Sequence, residues 1–254
     1  MAGSDAPALF QFLTRMGDTT LVLGHRVSEW CGRGPVLEED IALANTALDL
    51  IGQTQLWLAL AGEVEGVGRT ADDLAYLRDS REFHNLLLVE QPNGDFGQTL
   101  MRQFLFDAWH FGLLGELERS SESRVAEIAE KARKEAAYHL ERSGDRVVRL
   151  GDGTDESNRR LQTAVDLLWP YTGEMFLDDE IDQALADRGT APKPSSLRDR
   201  WDEHVARAFT AGMLEHPEDG HIQKGGRQGV HTEHLGYLLA EMQVLQRNHP
   251  GAVW

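Results

Sequence analysis

Apolar residues recur every three or four positions along nearly the whole chain, and no stretch shows the alternation that β-strands require. This period predicts an all-α protein. The longest predicted helices cover residues 7–30, 37–62, 97–119 and 123–150. Shorter predicted helices cover residues 71–81, where Thr70 and Asp73 have the spacing of a capping box, and residues 197–211 and 232–248. Another predicted helix begins near 154 and bends at Pro170. Four long helices joined in this way are typical of a four-helix bundle. We therefore predict one domain over residues 1–254, with a core bundle at 7–150 and a helical extension at 154–254.

Glycine and proline clusters indicate where the connections lie. Residues 82–96 contain the turn sequence Gln-Pro-Asn-Gly-Asp and are predicted to form a long ordered loop that crosses the bundle. Residues 189–196 are predicted to be a linker. Residues 212–231 contain five glycines and are predicted to be irregular.

Two of the long helices carry patterns that indicate how they pack. Helix 37–62 has a single apolar stripe, which consists of Ile41, Ala44, Leu48, Ile51 and Leu58. Such a stripe is typical of a helix face that packs against a core. A strip of mostly small residues on helix 123–150 consists of Ala129, Ala132, Ala136, His139 and Ser143.

Composition and charge narrow the classes of function. The chain has 254 residues, with 25 Lys and Arg against 42 Asp and Glu, so its formal charge is −17. This surplus of acid argues against broad contact with nucleic acid or with an anionic membrane. The longest apolar run, Leu56–Ala61, is far shorter than the roughly 20 residues of a membrane span. A single cysteine, Cys31, excludes an internal disulfide and a cysteine-based metal site, and suits a reducing cytoplasm.

Several polar residues on the long helices have the spacing of metal ligands. Di-iron bundles take one Glu from each of two helices and a Glu-x-x-His pair from each of the other two. Helix 97–119 offers Asp107 and His110 as Asp-x-x-His. Helix 123–150 offers His139, but the residue three positions earlier is Ala136, and helix 37–62 contains no histidine. The sequence therefore supplies only part of a di-iron ligand set.

Two interpretations of these polar residues remain open. The first is a buried hydrogen-bonded or ionic network formed by Asp49, Asp107 and His139, because buried polar groups persist when they are paired. The second is a metal site with fewer ligands, formed by Asp107, His110, Glu135 and His139. The network is favoured, because a six-ligand oxygen-activating site does not tolerate this many substitutions.

Other candidate sites have weaker patterns. His231 and His234, on either side of Glu233, could bind a metal at the start of a helix, although such residues more often cap it. Lys224 and Arg227 lie in a glycine-rich loop and could contact phosphates; a solvated loop is the alternative. The chain has no dinucleotide-binding, P-loop or nucleophile-elbow motif, which argues against nucleotide-binding and acyl-hydrolase functions.

A set of short strings, spread in order over almost the whole chain, resembles one known family. The strings are LVL at 21–23, SEWCG at 28–32, ALAN at 42–45, LDLIGQ at 48–53, NLLLVEQPNG at 85–94, DAWH at 107–110 and HTEHLG at 231–236. Together they resemble the PaaC-type subunits of bacterial phenylacetyl-CoA epoxidases.

This resemblance implies a ferritin-like, non-catalytic subunit that supports a PaaA-type catalytic subunit. The di-iron cofactor would belong to that partner, and this chain would hold no metal. The complex would use O2 and NADPH through a reductase to epoxidise the ring of phenylacetyl-CoA. PaaA-type subunits have Asp-Glu-Ala-Gly-His where this sequence reads Asp49-Leu50-Ile51-Gly52-Gln53, and Glu at the position of Ala136. The vestigial metal-site positions are then Asp49, Gln53, Asp107, His110, Ala136 and His139.

The resemblance also implies further partners and a substrate contact. It suggests a homodimer within a hetero-oligomer that includes the other epoxidase subunits, and contact with a CoA ester. The segments associated with substrate are Glu82, Phe83, His84 and Asn85, and Gln183, Ala184 and Leu185. The family pattern has Gln and Ser where Glu82 and His84 stand, and Glu82 would repel an anionic ester, so packing of the loop is an alternative. A helical interaction module for an unrelated partner is a further possibility.

Overall fold

A computed structural model describes residues 6–218 and 220–252, and this part of the chain contains helices and no strand, which confirms the all-α prediction. The helices are α1 (Ala6–Ser28), α2 (Leu37–Glu65), α3 (Ala71–Tyr76), α4 (Leu87–Glu90), α5 (Phe96–Leu117), α6 (Ser123–Gly151), α7 (Asp155–Leu168), α8 (Glu180–Ala186), α9 (Arg198–Ala211), α10 (Glu233–Met242) and α11 (Val244–Asn248). None of the described helices has the length and apolar character that a membrane span needs. The chain divides into two compact units, Met1–Gln91 with Lys224–Trp254, and Pro92–Gln223. The prediction of a single domain stays a prediction.

The first unit is built on the antiparallel pair of α1 and α2. A Cβ atom on Gly17 would lie 2.4 Å from the Leu58 side chain, and the Thr20 and Thr54 hydroxyls are 2.8 Å apart. The middle of α1 is buried on every side, from Phe12 to Gly24. A helix that is buried all round is expected to be mostly apolar, and its buried polar groups must find partners within the protein.

The C-terminal segment of the first unit packs against the end of α3 and the residues that follow it. The Gln243 side chain donates hydrogen bonds to the carbonyls of Ala75 (3.1 Å) and Arg78 (3.0 Å). The loop at Gly226 runs so close to Asn85 that a Cβ atom would lie 2.2 Å from its carbonyl oxygen. Only glycine fits at that position.

The second unit is built on the antiparallel pair of α5 and α6. The predicted small-residue strip of α6 is buried as expected, and it lets the helix approach α5 closely: the Ser143 hydroxyl donates to Asp107 at 2.8 Å. α7 and α9 pack on the same pair. The Trp201 indole of α9 donates to the Leu105 carbonyl at 2.9 Å.

The shorter elements differ from the sequence predictions. The Thr70–Asp73 capping box starts α3 as expected, but the helix ends at Tyr76 and a 3-10 turn follows at Ser80–Glu82. The loop predicted for residues 82–96 contains α4. The predicted bend at Pro170 is instead a helix end: α7 stops at Leu168 and Pro170 lies in a 3-10 turn, because proline cannot donate the next helical hydrogen bond. Helix α8 was not predicted, and the last predicted helix is interrupted at Gln243.

The packing face of α2 was predicted wrongly. Of the predicted stripe, Leu58 is buried, but Ile41, Leu48 and Ile51 are exposed. The buried residues of the helix instead include Leu43, Ala47, Leu50, Thr54 and Trp57. Apolar residues lie on both sides of α2, so the period alone does not show which side faces α1.

Candidate functional site

The interior of the α5–α6 pair contains a carboxylate held by neutral donors. Asp107 is 1% exposed; its Oδ1 accepts from Gln103 Nε2 at 2.6 Å and its Oδ2 accepts from Ser143 Oγ at 2.8 Å. Burial raises the pKa of Asp107 to about 6, although nearby His139 and the two hydrogen bonds act in the opposite direction. Both oxygens of this carboxylate are therefore already engaged by the protein.

His110 lies one helical turn further along α5 and has a different environment. Its ring packs against Phe106, with centroids 4.8 Å apart, and against Trp109. Among the described residues, neither ring nitrogen has a hydrogen-bond partner. Burial, with a smaller contribution from His139, lowers the pKa of His110 to about 3. The imidazole is therefore neutral at physiological pH, as a desolvated base should be.

These residues of the second unit do not fit a bridged di-iron centre. Such a centre needs several carboxylates. Ala136 is buried but its side chain has no atom that can bind a metal, and Glu135 at the preceding position of α6 is half-exposed. Within the ranges that the structure describes, no group of three His, Cys, Asp or Glu side chains could hold a metal ion. Among the candidate positions of this unit, Asp107 is the one carboxylate on an inward face. The side chains therefore supply too few carboxylate ligands for two iron ions.

The other two candidate positions belong to the first unit. Gln53 is buried on α2, and its amide is a neutral group. Asp49 is only half-buried, so it is not the fully buried network member that we expected.

A second buried polar cluster, in the first unit, joins residues that are far apart in sequence. Glu90 is fully buried and accepts from the backbone amide of Thr232 (2.7 Å) and from Asn85 Nδ2 (3.0 Å). His231 Nδ1 lies 2.9 Å from the Glu90 carboxylate, and His231 Nε2 lies 2.9 Å from the Phe83 carbonyl oxygen. Both ring nitrogens face acceptors, an arrangement that favours the doubly protonated imidazolium.

The environment of His231 gives a testable pH dependence. Burial by itself lowers its pKa, but the hydrogen bond and charge of Glu90 outweigh burial, and the pKa of His231 is raised. A raised pKa means that this stabilisation is complete below the unfolded value, about 6.5, and is lost as pH rises through the higher folded value. We expect an NMR titration of the His231 ring to give a folded pKa above that of a His-containing peptide. A lower value would contradict the proton assignment.

The segment predicted to contact substrate in the first unit has structural partners. The Glu82 carboxylate accepts from the Asp79 amide at 2.8 Å and so closes the 3-10 turn. Phe83 is buried beneath Arg78, and Asn85 is buried in the Glu90 cluster. His84 is half-buried. These contacts are those expected of a packed loop, and the substrate role of the four residues stays a prediction.

The remaining predicted contact residues are spread over both units. In α8 of the second unit, Gln183 is exposed and donates to Asp187, Ala184 is half-buried and Leu185 is buried. In the first unit, Lys224 is exposed whereas Arg227 is buried. A role for these residues in binding a CoA ester also stays a prediction.

Sequence reasoning missed an ion pair in the first unit. Asp18 of α1 and Arg78 are both buried; their side chains form a two-pronged contact, with Arg78 Nη1 at 3.1 Å from Asp18 Oδ2 and Nη2 bound to Oδ1. Asp18 also accepts from the His84 amide at 2.8 Å. A charged residue inside the apolar pattern of the first predicted helix was the available signal.

Comparisons with known proteins agree with the all-α fold and with the resemblance. The family model described as phenylacetic acid catabolic protein, PaaA_PaaC, matches residues 1–254. The chain is 48% identical over 246 residues to the C-type subunit of the 1,2-phenylacetyl-CoA epoxidase of Escherichia coli (strain K12), covering 97% of this chain and 99% of that protein. The ferritin-like, all-α fold class predicted from the sequence is that of this family. The chain therefore belongs to the phenylacetic acid catabolic protein family.

Proposed function

We propose that this chain is a non-catalytic structural subunit of a multicomponent di-iron monooxygenase that epoxidises the aromatic ring of phenylacetyl-CoA. The single observation that carries the proposal is the end-to-end similarity to the C-type subunit of such an epoxidase. In this proposal a PaaA-like catalytic subunit holds the di-iron centre, and a reductase supplies electrons from NADPH for the use of O2. The complex works in the cytoplasm during aerobic phenylacetate breakdown, and this chain forms a homodimer within it.

The interior of the α5–α6 pair supports the non-catalytic part of the proposal. Asp107 is hydrogen-bonded to Gln103 and Ser143. Residue 136 is an alanine, at the position where PaaA-type catalytic subunits are expected to have a glutamate ligand. Side chains that are hydrogen-bonded to each other stabilise the helix pair and leave few donors for a metal. This arrangement supports a role in which the chain packs against a partner.

Metal analysis tests the proposal directly. We expect the chain purified alone to contain no stoichiometric iron and to show no epoxidation. The complex with a PaaA-like protein should contain iron that stays with the partner after the two chains are separated. About two irons per copy of this chain, measured by mass spectrometry of the metal, would contradict the proposal.

A second candidate function is catalysis at a reduced site of Asp107, His110, Glu135 and His139. One observation favours it: among the described residues the buried ring nitrogens of His110 have no hydrogen-bond partner. Replacing His110 and His139 by leucine in the reconstituted complex separates the two functions. A structural role predicts unchanged iron content in intact complexes together with lower stability, whereas a reduced metal site predicts loss of iron from this chain.

A further inference from the structure

Helix α2 has an apolar face that the first unit does not cover. Leu37, Ile41, Leu48 and Ile51 are 71, 52, 67 and 38% exposed. Leu37, Ile41 and Leu48 lie on the side of the helix away from the buried Leu50, and Ile51 lies at the edge of this face, beside Gly24 of α1. Single exposed leucines are common on protein surfaces, but four large aliphatic side chains in a row on one helix indicate an interaction site.

The spacing of this face is that of a helix-packing seam. We use the name α2 seam for Leu37, Ile41, Ala44, Leu48 and Ile51. Successive members are four, three, four and three residues apart, the a and d pattern by which one helix packs along another. The α2 seam is about 21 Å long, at 1.5 Å per residue. Gly52 lies beside it in open space, since a Cβ atom there would have no neighbour within 4 Å, and a partner backbone can approach closely.

The charges around the α2 seam decide what can cover it. Helix α2 carries six acidic residues and no Lys or Arg, and the exposed Glu38 directly follows Leu37. Residues that flank such a seam select its partner by charge. A second copy of α2 would offer only acidic or neutral flanks, in a chain whose formal charge is already −17. An anionic membrane is disfavoured for the same reason. The complementary occupant is a helix with an apolar stripe and basic flanking residues.

We infer that the α2 seam is the surface on which a helix of the PaaA-like catalytic subunit docks, with Lys or Arg on that helix beside the acidic flanks. This inference rests on the proposed function, because it names where the supporting contact is made. The seam explains why α2 has two apolar faces: one packs on α1, and the other becomes buried in the complex.

Polar substitutions in the seam test the inference. Ile41→Gln with Leu48→Gln replaces two side chains that are in water in the isolated chain, so its circular dichroism spectrum and melting temperature should match those of the parent. Affinity for the PaaA-like subunit, measured by titration calorimetry, should fall about 100-fold, because seam residues lose their apolar burial. Leu167→Gln on α7 is the matched control: Leu167 is 54% exposed and outside the seam, so its affinity should change less than about threefold.

A charge reversal tests the predicted basic partner. Glu38→Lys should weaken binding at low salt by about three- to tenfold, and the difference from the parent should shrink as salt rises.

The possible outcomes of these experiments distinguish an error in the docking surface from an error in the proposed function. If the parent chain binds the PaaA-like subunit and the double variant binds equally well, the α2 seam is not the docking surface, although the structural role stands. If the parent does not bind that subunit, both proposals fail. If sedimentation shows that the double variant dissociates a dimer of this chain while binding to the partner is unchanged, the seam is a self-contact and the inference is overturned.

Discussion

Asp18→Asn should lower the free energy of unfolding by about 3–5 kcal/mol, the range found when one partner of a buried ion pair is removed. The substitution leaves the buried Arg78 guanidinium without its counter-charge. It also turns an NH2 group or a single carbonyl oxygen towards three donors, two from Arg78 and one from the His84 amide. Urea unfolding followed by circular dichroism gives the measurement.

Asp79→Asn is the matched control for this loss. Asp79 is also paired with an arginine, Arg247, at 2.9 Å, but its side chain is 79% exposed. Exposed pairs contribute at most about 1 kcal/mol, so this variant should unfold close to the parent. Equal losses in the two variants would show that burial of the Asp18–Arg78 pair does not matter. Adding Arg78→Met to Asp18→Asn should recover part of the lost stability, because it removes the unpaired charge.

His110→Leu should make the protein less sensitive to acid. With a folded pKa of about 3 against about 6.5 in the unfolded chain, His110 takes up a proton only on unfolding across that window. A depressed histidine pKa therefore destabilises the fold progressively as pH falls below about 6.5, by up to about 1.4 kcal/mol per pH unit. The leucine variant lacks this term, so its free energy of unfolding relative to the parent should rise by about 2 kcal/mol between pH 6.5 and 4.5.

Asp107 provides a control of opposite sign in the same helix pair. Its pKa is raised to about 6, so its contribution to stability is present below the unfolded value and is lost as pH rises through 6. Asp107→Asn should accordingly lose stability relative to the parent on acidification over the same window. In the parent, the contributions of His110 and Asp107 to stability change with pH in opposite directions. The free energy of unfolding of each variant must therefore be compared with that of the parent at the same pH. If the free energies of unfolding of His110→Leu and of the parent change equally from pH 6.5 to 4.5, the lowered pKa of His110 is contradicted.

The long helices could be predicted from the sequence because their determinants are local. The four longest start within one residue of the predicted positions, since period, caps and glycine-rich stops all lie within the segment. Thr70 with Asp73 is an example: the capping box was visible in the sequence and is present in the structure. The short helices α4 and α8 were missed, because segments of four and seven residues carry too little periodicity to be recognised.

The candidate site was also predicted only in part: the inward residues were predicted, but their contacts across helices were not. Asp107 and His139 were predicted on inward faces because spacing along one helix determines which residues share a face, and both are buried. The partners Ser143 and Gln103 were not assigned to Asp107, since the sequence does not state which side chains meet across a helix pair. The Glu90–His231 contact joins residues 141 positions apart, and the Asp18–Arg78 pair joins residues 60 apart.

The sequence by itself determined the helical class, the starts of the long helices, the acidic charge and the family, because these depend on local periodicity, composition and ordered motifs. Only the tertiary structure decided which face of α2 is buried and which buried charges are paired. Burial and pairing are relations between distant segments, and a helix that is apolar on two sides is consistent with either orientation until its neighbour is in place.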